Sequence, residues 1–325
     1  MKKSEPSKTE DNVLIRDFRK SDLNDLLGLL PKCFATEFEV TGFDPDHTRD
    51  MVNRAFGKTG RFFLGVARLC GKEPVKLLVA EANGRVIGST IVDNRGTVSY
   101  ISTVMVHPDY RRKGVATRLL KNVIAYIQRR SMRRAVLHVD LTNTPAMSLY
   151  TKLGFQTFEH ITYLIGEIDS LSALQDTGEI KTRPFEKDDL DQVYNLIRAS
   201  EDPNHLRIFD FSKKDLKARF LQGLLHFSTQ KKIVALLDGK IVGYAETSYT
   251  TPKEAGSISS IQAASQNRSS EIERLLIRAG INEIRKGGAN RIRVTVASMK
   301  QELIETLKNL GFRESLVMNG MSMEV

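Results

Sequence analysis

The stretch VMVHPDYRRKGVATRLL, which runs from Val104 to Leu120, decides the fold predicted for the first half of the chain. An apolar run with the character of a β-strand ends at Pro108, because proline cannot donate a hydrogen bond to a neighbouring strand. Three consecutive cations and Gly114 follow, and apolar residues then recur at helical spacing from Val115 onward. The stretch predicts a strand that turns directly into a helix through a glycine.

A turn of this kind is suited to binding phosphate. The first N–H groups of a helix lack internal partners, and the helix dipole makes that end partly positive. Gly114 lets the backbone approach a ligand, Ala116 keeps the next turn slim, and Arg111, Arg112 and Lys113 add positive charge. The stretch lacks the GK[ST] ending of a Walker loop. Taken alone, it is equally compatible with an ordinary solvated basic turn.

The second half of the chain repeats landmarks of the first half in the same order. Three ordered matches at nearly constant offset indicate a duplicated unit. The matched pairs are IRDFRKSDL at 15–23 with TRPFEKDDL at 182–190, NGRVIG at 83–88 with DGKIVG at 238–243, and KLGF at 152–155 with NLGF at 309–312.

The length and composition fit two globular domains. The chain has 325 residues, more than one typical core of ~100–200 residues. We predict a disordered tail at 1–12, a first domain at 13–168, a linker at 169–179 and a second domain at 180–325. The sequence contains no signal-peptide or membrane-span pattern, and its two cysteines offer no disulfide framework or metal-ligand spacing. We therefore expect a cytoplasmic protein without a metal or a membrane partner.

The coarse order of elements in the first half predicts a mixed α/β fold. Ser21 begins a helix, Asn83-Gly84 is a strong hairpin signal, and Thr144-Pro145 is typical of a helix start. The resulting order is helix, long variable segment, hairpin, strand, helix, strand, helix and strand. Strand-to-helix turns in such a layer face one edge of the sheet.

A second stretch, LHVDLTNTPAMSLYTKLGF at 137–155, strengthens the interpretation of the first. Together the two stretches resemble the GNAT acetyltransferase superfamily, and within it the N-terminal α-acetyltransferases of proteins. The family's acyl-CoA loop, Arg/Gln-x-x-Gly-x-Gly/Ala, is matched by Arg111, Gly114 and Ala116. The resemblance covers most of residues 13–168. Its second signature is matched by Asn143, Ala146, Leu149, Tyr150, Gly154 and Phe155.

The resemblance implies acetyl-CoA as the donor, bound by two tandem domains of which the second is degenerate. The pyrophosphate would lie on N–H groups from Arg112 to Ala116, and pantetheine along Val104 to Val106. A backbone N–H near Met105 or Val106 would polarise the thioester carbonyl. The implied donor-binding residues are Val104, Met105, Val106, Arg111, Arg112, Lys113, Gly114, Val115, Ala116, Thr117 and Asn143. Asn143 is equally suited to serving only the turn before the helix.

Acetyl transfer to an amine needs two proton transfers, and the resemblance places one candidate residue for each. Tyr150 is the candidate acid for the departing thiolate, with simple packing as the alternative. His138 is the candidate base: strand alternation places it with Asp140 on the cleft face, and a eukaryotic-type branch of the family carries histidine there, acting through water. The alternative is a polar strand residue satisfied by its neighbours. The residues expected in the core are Leu137, Val139 and Leu141.

The amine expected from this chemistry is an α-amine. An ordinary imidazole, pKa ~6.5, is suited to accepting a proton from an α-amine of ~7.7–8.0, whereas a lysine amine lies at ~10.4. The first hypothesis is therefore an acetyltransferase acting on a protein or peptide N-terminus, a ribosomal protein being one such partner. The second is a small-molecule amine acetyltransferase, with segment 36–71 shaping the pocket. The third is a non-enzymatic CoA-sensing or nucleic-acid-binding protein.

The basic charge alone does not establish a nucleic-acid partner. The chain has a formal net charge of +10, and nine Lys or Arg residues lie between Arg111 and Arg134. No zinc-finger or RNA-recognition signature accompanies them. We therefore expect a solvated helix face with phosphate contacts to CoA, and no nucleic acid.

The second half keeps the fold signals and loses the chemical ones. A shift of 156 places Asn267, Arg268, Ser270 and Ile272 at the positions of Arg111, Arg112, Gly114 and Ala116. A shift of 157 places Thr295, Lys300 and Leu307 at the positions of His138, Asn143 and Tyr150. Bulky Ile272 would crowd a pyrophosphate, and Leu307 cannot donate a proton. We predict a second domain that covers the acceptor site, supports the fold or forms a homodimer.

Overall fold

A computed structural model describes six segments of the chain, which together hold both halves. These are residues 13–34, 75–171, 178–217, 228–250, 255–264 and 269–325. The predicted tail at 1–12, the segment 36–71 and most of the predicted linker lie outside the described residues. Within the described part of the chain, no helix has the length and apolar character needed to span a membrane.

The first half has the predicted mixed α/β order of elements. The hairpin turns at Asn83 and Gly84, which both have the positive φ angles, 52° and 76°, that a tight hairpin turn requires. A short 3₁₀ turn at Lys20–Asp22 precedes the first helix. The elements are β1 (Leu14–Asp17), α1 (Leu23–Cys33), β2 (Val75–Ala82), β3 (Arg85–Arg95), β4 (Val98–Val106), α2 (Val115–Arg129), β5 (Arg134–Asp140), α3 (Thr144–Lys152) and β6 (Gln156–Glu167).

The second half repeats this order, as the sequence landmarks predict. Its elements are β7 (Lys181–Pro184), α4 (Leu190–Ser200), α5 (Pro203–Phe209), α6 (Lys213–Lys217), β8 (Ser228–Leu237), β9 (Lys240–Thr250), β10 (Ala255–Ala263), α7 (Ser269–Lys286), β11 (Arg291–Ala297), α8 (Gln301–Asn309) and β12 (Arg313–Glu324).

The sequence match between residues 15–23 and 182–190 reflects the same ion pair in both halves. In each half an arginine of the first strand pairs with an aspartate of the following 3₁₀ turn, at 2.7 Å for Arg16–Asp22 and 2.6 Å for Arg183–Asp189. Each aspartate also accepts a backbone N–H, from Arg19 or from Glu186. The carboxylate therefore fixes the entry into the first helix of both halves.

The two halves share one sheet because each contributes its last strand to the centre. The strand order is β1-β2-β3-β4-β5-β12-β6-β11-β10-β9-β8-β7. Strand β12 of the second half lies between β5 and β6, antiparallel to both, and β6 pairs in turn with β11. A residue of β12 can therefore contact β5 and β6 at once.

Helices cover both faces of the first half's sheet. Helix α2 packs on one face, where Leu137 and Val139 of β5 are buried as predicted. Leu141 was predicted for the same core and is instead 41% exposed, because β5 ends one residue earlier. On the opposite face, Val98 and Val136 pack against Ile208 of α5. The second half thus covers the sheet beside the predicted base.

Candidate active site

The turn before α2 has the backbone shape of an anion-binding site. Gly114 has φ +78°, and Arg112, two residues earlier, has φ +63°. The first helical hydrogen bond runs from the Arg118 N–H to the Gly114 carbonyl at 3.0 Å. The N–H groups of residues 115–117 lie ahead of it and point out of the helix end. A Cβ at Gly114 would meet no atom of the described residues within 4 Å, so the turn is open to a ligand.

Cations surround this turn. Arg111 donates from Nε to the Val106 carbonyl at 3.3 Å, which ties the turn to the end of β4. The Lys113 ammonium lies 4.9 Å from the centre of the Tyr110 ring, and Lys32 Nζ lies 3.0 Å from His107 Nε2. The turn therefore combines exposed N–H groups with nearby positive charge, which is the arrangement that binds phosphate.

A gap opens between β4 and β5 next to the turn. Their parallel pairing extends only to Ile101 opposite Leu137, and β4 has an irregularity there, with Thr103 at φ +54°. At the end of β4 the His107 N–H donates to β3. Because donor direction alternates along an antiparallel ladder, the Val106 N–H points away from β3 and into the gap. The geometry therefore favours the N–H of Val106 over that of Met105 as the predicted hydrogen-bond donor to the thioester carbonyl.

Tyr150 is buried beside the gap. Its side chain packs in the cluster that includes Val104 and Val106, and its ring centre lies 6.0 Å from that of Phe155. Burial raises the pKa of Tyr150 to about 12, so the phenol keeps its proton at neutral pH. Among the described residues its hydroxyl has no hydrogen-bond partner. A protonated phenol with an available O–H is able to act as an acid.

Asn143 and Asp140 stabilise the turn between β5 and α3. The Asn143 Oδ1 accepts the Ala146 N–H at 3.2 Å, so the side chain caps α3. The Asp140 carboxylate accepts the N–H and the hydroxyl of Thr142, both at 2.8 Å. The described contacts of both side chains are local, and a contact between Asn143 and pantetheine stays a prediction.

His138 lies where β4 and β5 begin to separate, within a chain of four polar side chains. Its Nδ1 is 2.8 Å from the Tyr100 hydroxyl, and its Nε2 is 2.8 Å from Glu159 Oε1. The second oxygen of Glu159 is 2.7 Å from Nδ1 of His205, a residue of α5 in the second half. The His138 side chain is only 9% exposed. Both ring nitrogens of the predicted base therefore have hydrogen-bond partners, which fix the orientation of the ring.

The charges of this network fix the direction of its hydrogen bonds. Burial disfavours the Glu159 carboxylate, but the hydrogen bonds to His138 and His205 outweigh burial and lower its pKa to about 2. Burial would lower the pKa of His205, but the bond to Glu159 outweighs this effect and raises it. Because an ionised carboxylate only accepts, Nε2 of His138 donates to Glu159, and the tautomer with its proton on Nε2 leaves Nδ1 able to accept the Tyr100 O–H.

Sequence reasoning missed Tyr100, Glu159 and His205. The period of β4 could have placed Tyr100 on the cleft face with the predicted base, because strand side chains alternate. Glu159 carried no motif signal. His205 belongs to the second half, and only the assembled sheet brings it to the site.

The corresponding gap in the second half is present but filled. The pairing of β10 with β11 ends at Ile258 opposite Val294, each 157 residues after its counterpart in the first half. Lys300, the counterpart of Asn143, donates from Nζ to the Ile261 carbonyl at 2.8 Å and lies 3.5 Å from Glu273. Its side chain therefore occupies the space that is open in the first half.

The turn before α7 differs from the prediction by one residue. A Cβ at Gly88 would lie 3.3 Å from Leu119, and one at the equivalent Gly243 would lie 3.0 Å from Leu276. Leu276 is therefore the counterpart of Leu119, which gives an offset of 157 rather than 156. The offset changes because the second half gains two residues between its hairpin and β10.

With the offset of 157, acidic residues stand at the glycine and alanine positions of the turn in the second half. Glu271 and Glu273 take the places of Gly114 and Ala116, whereas Ile272, only 2% exposed, packs in the core like Val115. The assignment of Ser270 and Ile272 to the glycine and alanine positions was wrong. Asn267 and Arg268 lie outside the described residues.

A cleft of 740 Å³ opens between the two halves beside the His138 network. Tyr100 and His205 line it, together with Glu201, Glu246 and Gln262 of the second half. Clefts of this size accommodate small molecules or the end of a longer ligand. The Tyr100 hydroxyl therefore connects the cleft to the ring of His138.

A mixed α/β sheet in which a splayed strand pair leads to a glycine turn with exposed helix N–H groups is the architecture of the acyl-CoA N-acyltransferase class. A profile of the Acetyltransferase (GNAT) family matches residues 40–155. An acetyltransferase of Pectobacterium atrosepticum is 30% identical over 102 residues, which cover 30% of this chain and 70% of the relative. The chain belongs to the GNAT acetyltransferase family.

Two further similarities concern larger parts of the chain. An uncharacterised N-acetyltransferase of Methanocaldococcus jannaschii is 28% identical over 152 residues, or 45% of this chain, and the match spans 61% of that relative, less than two thirds. A solved tandem GNAT protein from the clavulanic acid biosynthesis pathway superposes with a TM-score of 0.67 at 13% identity, covering 96% of this chain and 98% of that structure. This second similarity establishes the tandem fold alone.

Proposed function

We propose that the chain transfers acetyl from acetyl-CoA to a primary amine at the cleft of its first half. The main support is that three features lie along the gap between β4 and β5. These are the phosphate-binding turn at Gly114, the buried phenol of Tyr150 and the His138 network. Each feature serves a different part of the same reaction.

The first half fits acetyl-CoA, which would supply an activated acetyl thioester. The open turn and its cations suit the pyrophosphate, and the gap beside Val104 to Val106 suits the extended pantetheine. The Val106 N–H would polarise the thioester carbonyl as the amine attacks. In the second half, Lys300 fills the equivalent gap beside Glu273, and Glu271 stands at the position of Gly114, which supports a single donor site and a degenerate second domain.

The acceptor amine must lose a proton before it can attack. Tyr100 lines the cleft, and its hydroxyl donates to His138 Nδ1. The amine passes a proton to the Tyr100 oxygen as Tyr100 passes its own to Nδ1. The ring then carries the positive charge, which the Glu159 carboxylate stabilises from Nε2. At the other side of the reacting centre, the Tyr150 hydroxyl protonates the departing thiolate.

The acceptor that we propose first is a protein or peptide N-terminal α-amine. A histidine base that receives the proton through a neutral hydroxyl accepts it more readily from an α-amine of pKa ~7.7–8.0 than from a lysine amine of pKa ~10.4. Small-molecule amines are the second candidate, and the 740 Å³ cleft between the halves is the observation that favours them.

A CoA-release assay over a panel of acceptors tests this proposal. The panel contains peptides with free N-termini, the same peptides with a blocked N-terminus and one lysine, and small amines. We expect the free N-terminal peptides to have the highest kcat/KM, and to lose turnover when the N-terminus is blocked. Higher kcat/KM for lysine peptides or for small amines would refute the N-terminal assignment, and no CoA release with any amine would refute the proposed activity.

A further inference from the structure

We propose that the second half completes the active site of the first, with His205 and Gly320 acting as positioning residues that hold Glu159 against His138. The proposal rests on the proposed function, because it assigns a role in orienting the base of that reaction. It makes the site composite, since β6, β5, α5 and β12 all meet at Glu159.

His205 supplies the second hydrogen bond to Glu159. Its Nδ1 lies 2.7 Å from Oε2, while the other oxygen is engaged by His138. The His205 ring lies 4.5 Å from the ring of Phe209 on the same helix, and Phe209 in turn contacts Phe158 of β6. The aromatic contacts fix α5 on the sheet, so His205 holds the carboxylate in one orientation.

Gly320 supplies the space in which Glu159 and His138 meet. In the central sheet it is paired with His138 on one side and with Glu159 on the other. A Cβ at this position would lie 2.6 Å from Glu159 Cγ and 3.1 Å from His138 Nε2. Both distances are shorter than ordinary contact, so any larger residue pushes the pair apart.

Without His205 or Gly320, the proton of the His138 ring is no longer held on Nε2. When Glu159 accepts from Nε2, the neutral ring keeps Nδ1 free to accept from Tyr100. When Glu159 moves away, either ring nitrogen can carry the proton and the ring can turn. The fraction of molecules with Nδ1 ready for the Tyr100 proton then falls, and kcat falls with it while the donor site is unchanged.

Steady-state kinetics of full-length variants provide the first test. We expect Gly320→Ala and His205→Ala to lower kcat roughly tenfold to a hundredfold, a part of the ~10²–10⁴ that a general base supplies, with the KM for acetyl-CoA unchanged. His205→Asn should retain most of kcat, because its amide can donate near the position of Nδ1. His160→Ala is the matched control, since this exposed histidine is adjacent to Glu159 in sequence.

A double-substitution series separates positioning from folding. In a His138→Ala background, neither Gly320→Ala nor His205→Ala should lower kcat further, because the residue that they position is absent. A full additional loss in that background would overturn the proposal. Unchanged kcat in both single variants would also overturn it.

Nitrogen-15 spectra of the histidine rings test the geometry without turnover. In the wild-type protein we expect His138 to carry its proton on Nε2, and we expect this preference to weaken in Gly320→Ala and in His205→Ala. If His138 keeps its proton on Nε2 to the wild-type extent in both variants, His205 and Gly320 are not positioning residues, whatever the activity of the enzyme. Loss of the signal in a protein that acetylates no amine would leave the pairing established and refute only the proposed function.

Discussion

Replacing Glu159 with glutamine should lower the stability of the protein more at pH 6 than at pH 3. The pKa of Glu159 is lowered from its ordinary 4.5 to about 2. A lowered carboxyl pKa stabilises the folded state above the unfolded-state value, and this stability is lost as the pH falls toward the folded-state value. A carboxyl pKa lowered from 4.5 to about 2 contributes about 3 kcal/mol to the free energy of unfolding at pH 6, and about 2 kcal/mol of this contribution is lost by pH 3.

Urea-induced unfolding at pH 6 and at pH 3 measures this contribution. Glu159→Gln should reduce the free energy of unfolding by about 3 kcal/mol at pH 6 and by only about 1 kcal/mol at pH 3. The raised pKa of His205 acts in the opposite sense, since its contribution is complete below 6.5 and is lost as the pH rises through the folded-state pKa. Glu302→Gln, on the exposed face of α8, is the control. An equal loss for Glu159→Gln at both pH values would refute the linkage argument.

Three further predictions concern the donor side of the site. Tyr150→Phe should lower kcat by ~10²–10⁴ while calorimetry shows nearly unchanged acetyl-CoA affinity, and an unchanged kcat would return Tyr150 to a packing role. Gly114→Ala should cost about 1–2 kcal/mol, because its φ of +78° is unfavourable for a residue with a Cβ, and should weaken acetyl-CoA binding in a titration. Glu271→Ala, at the equivalent position of the second half, should leave acetyl-CoA affinity unchanged, and a matching loss there would contradict a single donor site.

The sequence was sufficient to predict the fold class and the strand-turn-helix at Gly114, because periodicity, proline and glycine act locally. The same local signals predicted the hairpin at Asn83 and the repeated order of elements. Leu141 was assigned to the core because alternation does not show where a strand ends. The one-residue error at Ile272 arose because two residues are inserted before β10, and a repeat offset read from the hairpin does not reveal their position.

The position of β12 and the contacts of Glu159 could not be predicted from local patterns. The final strand of each half has the same alternation whichever sheet it joins, so the sequence does not distinguish a strand that stays in its own half from one that crosses. The contact between Glu159 and His205 depends on the way α5 packs on the first half. Gly320 had no motif, and its role follows only from its register opposite two side chains.

Catalysis at the first half's cleft is tested by comparing His138→Ala with Thr295→Ala, its structural counterpart in the second half. Both variants should be assayed for acetyl-CoA-dependent CoA release with the best acceptor of the panel. We expect kcat to fall by ~10²–10⁴ in His138→Ala and to stay at the wild-type value in Thr295→Ala. Wild-type turnover in His138→Ala, or an equal loss in both variants, would contradict catalysis at the first half's cleft.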